Sequence, residues 1–142
     1  MSIPHSLKVL SFDLGHSFGW AYKDSVAENF GHGKYLELTD WGDQVKELLD
    51  LWKPTIVVVS QTNNFGHFNA TRSMLKQSGV VFYICGKKNI PGVEFNDSTA
   101  RKAALGKGMK KVEVQKLFPG VQGDALDALI LARGWVTLQS DS

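Results

Sequence analysis

Polar and apolar residues alternate along LKVLSFDL, residues 7–14, with Val9, Ser11 and Asp13 on one side and Leu10, Phe12 and Leu14 on the other. That period of two predicts a β-strand. Gly15 closes it, and FGWAYK at 18–23 predicts a second strand returning through a short turn. A third strand is expected between about Ala27 and Leu38, its edges blurred by Gly31 and Gly33. The period then changes. Val45, Leu48, Leu49 and Trp52 recur at helical spacing, predicting a helix N-capped by Asp40 and stopped by Pro54. TIVVVS is a continuous apolar run, as expected of a strand covered on both faces of a sheet. NATRSMLKQSG predicts a helix ending before Gly79, VVFYIC a further buried strand, and NIPGVEF an extended segment. DSTARKAAL predicts a short helix capped by Asp97 or Ser98 and broken at Gly106 and Gly108. Helices are also expected from Lys110 to Phe118 and across 123–138, the last with the small-residue face Ala125, Ala128, Leu129 and Ala132.

Strands in a meander pair antiparallel, whereas strands reached through helices must be parallel. The expected fold is therefore α/β: a mixed five-stranded sheet, three strands antiparallel and then two parallel, flanked by helices in a single domain over residues 1–142. Composition changes little in this picture. A hydrophobic fraction of 43% and a charged fraction of 21% are ordinary for one globular domain. The single cysteine, Cys85, excludes an intrachain disulfide and fits a reducing compartment. MSIPHSLK has no apolar h-region, and the apolar runs are too short to span a bilayer. Repeats and low-complexity tracts are absent from the sequence.

Charge is more informative by distribution than by sum. Arg101 to Lys116 holds six basic residues against the single acid Glu113, while the whole chain carries only +2. Such a run is either a solvated helix face or a phosphate-binding surface, and Gly106 and Gly108 would let the backbone approach a phosphate closely. Three acids stand out. Asp13 lies in an apolar strand, where a carboxylate is costly unless paired, bound to metal or capping the turn at Gly15. Asp124 and Asp127 lie three apart in GDALDALILA, on one helix face where like charges repel. Asp124 also suits a helix N-terminus, but Asp127 is flanked by Leu126, Ala128 and Leu129. Carboxylates gathered this way hold Mg²⁺ against a phosphodiester. His16, His32 and His67 have no zinc-site spacing.

VLSFDLGHSFGWAY, IVVVSQTNNFGHFNATRSMLKQSGVV and GDALDALILA together resemble the RuvC family of Holliday-junction resolvases, within the ribonuclease H-like superfamily. The first resembles the family's strand-one Asp-x-Gly hairpin, the second its strand-four acid and following helix, the third its Asp-Ala-x-Asp-Ala signature. The resemblance spans nearly the whole chain. It implies a homodimer that nicks four-way DNA junctions in symmetric pairs, leaving 5′ phosphates. It implies two Mg²⁺ (or Mn²⁺) ions roughly 4 Å apart that activate a water and stabilise the leaving oxygen. Position by position, Asp13 would bridge both ions, Asp124 and Asp127 would complete the sites, and Gln61 would stand where the family has glutamate.

A neutral amide donates a proton where a metal needs an acceptor, so Gln61 implies a cleavage-impaired chain. Either it is an engineered Glu→Gln change that keeps DNA uncut, or the natural protein binds junctions without cutting. The resemblance also implies DNA contacts from Arg101, Lys102, Lys107, Lys110 and Lys111, and from Arg72 and Lys76 on the helix after Gln61. That helix is the implied dimer surface. Phe65 and Phe68 would wedge or stack at the junction centre, where base stacking is worth about 1–3 kcal/mol. The implied setting is the cytoplasm of a bacterial or phage-infected cell. Alternatives are a nuclease of the same fold acting on flap DNA or RNA–DNA hybrid, and a non-catalytic DNA-binding protein. An ATP-binding domain of the sugar-kinase and actin type needs a second domain that 142 residues do not hold.

Overall fold

A computed structural model of the chain describes residues 3–62 and 68–140. It opens with a meander of β1 (Val9–Asp13), β2 (Ser17–Lys23) and β3 (Glu28–Lys34). Then come α1 (Leu38–Trp52), β4 (Ile56–Ser60), α2 (Phe68–Lys87) and β5 (Gly92–Phe95). The chain closes through α3 (Asp97–Leu105), α4 (Lys111–Leu117) and α5 (Gly123–Ser140). The strands form one sheet in the order β3-β2-β1-β4-β5. The hairpin-linked pairs are antiparallel and the helix-linked pairs β1–β4 and β4–β5 are parallel, as the connections require.

Strand alternation sorts the core into two layers. Leu10, Phe12, Phe18, Tyr22, Val57 and Val59 pack with Trp41, Val45 and Leu49 of α1 and Val81 and Ile84 of α2. Val9, Ala21, Val58 and Phe95 pack on the opposite face with Ala100 of α3, Val114 of α4 and Leu126, Leu129 and Val136 of α5. Trp41 anchors the first layer. It meets Phe12 and Phe18 edge-on at 5.5 and 4.7 Å, and its Nε1 donates to the Gln77 carbonyl at 3.0 Å. In the second layer the small residues of α5 allow close approach. A Cβ on Gly134 would lie 2.6 Å from the Ala100 carbonyl oxygen of α3.

Three local expectations change. VVFYIC is not a strand, because α2 continues through Gly79 to Lys87 and β5 is GVEF instead. The apolar run hides a helical period: Val81, Ile84 and Cys85 are buried while Tyr83 is exposed. α1 begins one turn early, after an extended Glu37, and Asp40 Oδ2 accepts from the Leu36 N–H at 3.3 Å. α3 is capped by Asn96, whose side chain accepts from the Thr99 N–H at 3.1 Å. Asp97 is thereby left as the first helical residue, with its carboxylate not used as a cap.

Candidate active site

The parallel strands β1 and β4 lie at the centre of the sheet, and their C-terminal ends form its floor. Asp13 is the last residue of β1. It alternates with Val9 and Ser11, so it faces the α5 side. Ser11 Oγ donates to the Ala128 carbonyl at 2.6 Å, pinning α5 along β1. Gly19 of β2, the cross-strand partner of Asp13, lies so near the first turn of α5 that a Cβ there would overlap the Asp124 carbonyl. These contacts bring Asp124 and Asp127 over Asp13. Ser17 Oγ donates to Asp124 Oδ2 at 2.6 Å, and Gln122 Nε2 donates to the same oxygen at 3.2 Å. Neither Ser17 nor Gln122 stood out in the sequence, since a serine after a turn and a glutamine before a helix carry no distinctive pattern.

Asp97 joins this group from the start of α3, and Lys111 from the start of α4. Burial pushes the Asp13 carboxyl up to about 8, and the charges of Asp127, Asp97 and Asp124 add to it against the opposing pull of Lys111. Burial also holds Asp127 and Asp97 above the usual carboxylate range. Burial pulls the Lys111 ammonium down, but Asp127, Asp13 and Asp97 outweigh it and leave it raised. Its Nζ lies 3.5 Å from Asp127 Oδ2, an ion pair on the solvent side. Among the described residues no hydrogen bond or ion pair neutralises the Asp13 carboxylate. The centre is thus a set of acids whose ionisation is opposed by burial and by one another, and a bound cation relieves that opposition.

Gln61 is placed differently. Phe12 pairs with Val59, so Ser60 is the β4 residue level with Asp13. Val57 and Val59 face the α1–α2 layer and Val58 faces the α5 layer. Alternation therefore turns Ser60 toward the Asp13 side and Gln61 toward the other. The Gln61 N–H donates to the Phe95 carbonyl at 3.0 Å, extending the ladder, and its Oε1 accepts from Asn96 Nδ2 at 3.2 Å. Ser60 is buried, and its Oγ accepts from the Leu14 N–H at 3.0 Å. Asp13, Asp124 and Asp127 thus lie on one side of the sheet, while the Gln61 side chain is bonded to Asn96 at the N-cap of α3.

Among the described residues, no three of Asp, Glu, His and Cys converge closely enough to hold a metal ion unaided. The donors still suit Mg²⁺ or Mn²⁺. Such ions take hard oxygen ligands, commonly one or two carboxylates with water and substrate phosphate completing the shell.

Lys102, Lys107 and Lys110 are exposed on and after α3, and Arg72 and Lys76 are exposed on α2. Arg101 is half-buried instead. It lines a cleft with Asp97 and Asp127, and its Nε is buried without a partner. Phe65 lies outside the described residues, and of Phe68 only the backbone, at the first position of α2, is described. Among the described residues no helix is long and apolar enough to cross a membrane.

No family model matches the chain. A crossover junction endodeoxyribonuclease RuvC from Thermomicrobium roseum is 29% identical over 99 residues, covering 63% of this chain and 61% of that protein. The chain thus matches about three fifths of its relative's length. Among solved structures, Thermus thermophilus RuvC in complex with a Holliday junction substrate superposes with a TM-score of 0.78, at 14% identity and 96% coverage of both chains. The yeast mitochondrial Holliday junction resolvase Ydc2 gives a TM-score of 0.65 at 15% identity, covering 97% of this chain and 81% of that one. The sheet is that of the ribonuclease H-like fold these proteins share.

Proposed function

We propose that this chain, RuvC-like in sequence and in fold, is a structure-selective endodeoxyribonuclease that resolves four-way DNA junctions by paired symmetric nicks. The observation that carries this reading is the carboxylate group itself. Asp13 ends a buried strand without a neutralising partner, and Asp124 and Asp127 are held over it by the packing of α5 on β1.

Two Mg²⁺ or Mn²⁺ ions, when bound, supply a deprotonated water and charge for the leaving 3′ oxygen. The residues do the rest. Asp13 would hold metal from the floor of the sheet, at the end of β1. Ser17 and Gln122 hold the Asp124 carboxylate in one orientation. Lys111 neutralises part of the charge at Asp127 in the free protein and is placed to follow a phosphate once DNA arrives. Lys102, Lys107 and Lys110 extend this positive border to flanking phosphates, with Arg72 and Lys76 on the far side. Phe65 and Phe68 are assigned to the junction centre by resemblance alone. α2 presents exposed Leu75 and Tyr83, a surface suited to pairing with a second copy. We take the chain as cleavage-competent, because among the described residues the Gln61 side chain bonds Asn96 and none of the three acids.

Competition binding in Ca²⁺ tests the substrate. A labelled four-way junction should stay bound against a ~100-fold excess of linear duplex. Lys102→Ala, Lys107→Ala and Lys110→Ala should each weaken binding and lower the salt slope by about one. Equal competition by duplex rejects the junction reading. Preferential competition by RNA–DNA hybrid reassigns the substrate.

A further inference from the structure

We propose that Asp97 is the fourth acidic ligand of the cation site, supplying from β5 and α3 the charge that β4 does not. The inference rests on the nuclease reading above and assigns one more residue to it.

The ends of β1, β4 and β5 lie side by side. Asp13 is level with Ser60, and Ser60 pairs with Phe95. A ligand from β4 would have to be residue 60, because alternation turns residue 61 to the other face. Ser60 is neutral and buried, and its Oγ is already engaged by the Leu14 N–H at 3.0 Å. β4 therefore gives no anion to this side of the sheet.

β5 does. Phe95 packs in the α5 layer, Asn96 steps out to cap α3, and Asp97 returns at the first position of that helix. Asp97 lines the same cleft as Asp127 and Arg101. Capping does not explain the residue, because Asn96 already accepts from the Thr99 N–H. Among the described residues the Asp97 carboxylate has neither a hydrogen bond nor an ion pair. With Asp97, four carboxylates lie on the α5 side of the sheet.

The test is Mn²⁺ titrated into the metal-free chain, followed by calorimetry and by the electron paramagnetic resonance of free Mn²⁺. Asp97→Asn should weaken Mn²⁺ binding by about tenfold or more. Asp97→Glu should retain most of the binding, and Gln61→Glu should change it by less than about twofold. A merely structural Asp97, acting on the helix dipole, would shift the melting temperature and leave Mn²⁺ affinity alone. That result overturns the proposal, as does strong tightening by Gln61→Glu. Asp13→Asn separates the two levels of the argument. If it abolishes Mn²⁺ binding while Asp97→Asn does not, only the Asp97 assignment falls. If neither change affects Mn²⁺ binding, or the unaltered chain binds none, the metal-site reading falls as well.

Discussion

Asp13→Asn should abolish junction cleavage and at the same time make the metal-free protein more stable. The two effects share one cause. The carboxylate sits at the floor of the site with its pKa raised by burial and by neighbouring acids from 3.8 to about 8. A group whose folded pKa is raised holds its proton in the folded state while the unfolded chain has released it. Folding is then weakened progressively as pH rises from about 4 to about 8, with no further loss above that window. Asparagine has nearly the same shape and never ionises. In the presence of a chelator it should stabilise the fold at pH 8 by about 1–3 kcal/mol, and the gain should shrink toward pH 5. Cleavage should fall by about a thousandfold or more, since a neutral amide at the end of β1 would no longer supply an anionic metal ligand. Thermal melts at the two pH values, beside a junction-cleavage assay, check both halves. Destabilisation at pH 8, or retained cleavage, would contradict the placement of Asp13.

Gly19→Ala should have the largest structural effect of any glycine-to-alanine change among the described residues. Its Cβ would overlap backbone atoms of Asp124 and Ala125, which cannot rotate away as a flexible side chain can. The first turn of α5 must lift from the sheet, and that turn carries Asp124. The expected cost is about 2–4 kcal/mol, with a melting temperature lowered by roughly 5–15 °C and cleavage impaired well beyond the loss of folded protein. Gly79→Ala is the control. Its Cβ meets no atom and the residue lies within α2, so the substitution should be neutral or stabilising by up to about 1 kcal/mol. Equal melting temperatures for the two variants would show that α5 does not approach β2 as described.

Much of this architecture was legible in the sequence. The alternation of Val9, Ser11 and Asp13 fixed which side of the sheet Asp13 faces, and the i, i+3 spacing of Asp124 and Asp127 put both on one turn. The small residues of the last helix marked it for close packing, as Gly134 against Ala100 bears out. GVVFYIC misled because an apolar run with β-branched and aromatic residues fits a strand and a buried helix alike, and its length does not arbitrate. Asp97 was hidden for a different reason. Asx residues before a helix usually cap it, and with Asn96 and Asp97 adjacent only the structure shows that Asn96 does so. The side on which Gln61 falls depends on the register of β4 against β1. Register is a property of strand pairing that one strand does not carry, and a shift of one residue reverses every side chain.

The measurement closest to the central claim is cleavage of a four-way junction, labelled on each strand in turn, by the unaltered chain in Mg²⁺ and in Mn²⁺, beside linear duplex of the same sequence. Resolution by this site predicts paired nicks at symmetric positions in opposing strands, ends bearing 5′ phosphates, no nicks in duplex, and no reaction with chelator or with Asp13→Asn. Junction binding with no nicks in either metal, or duplex nicked as readily as junction, would contradict it.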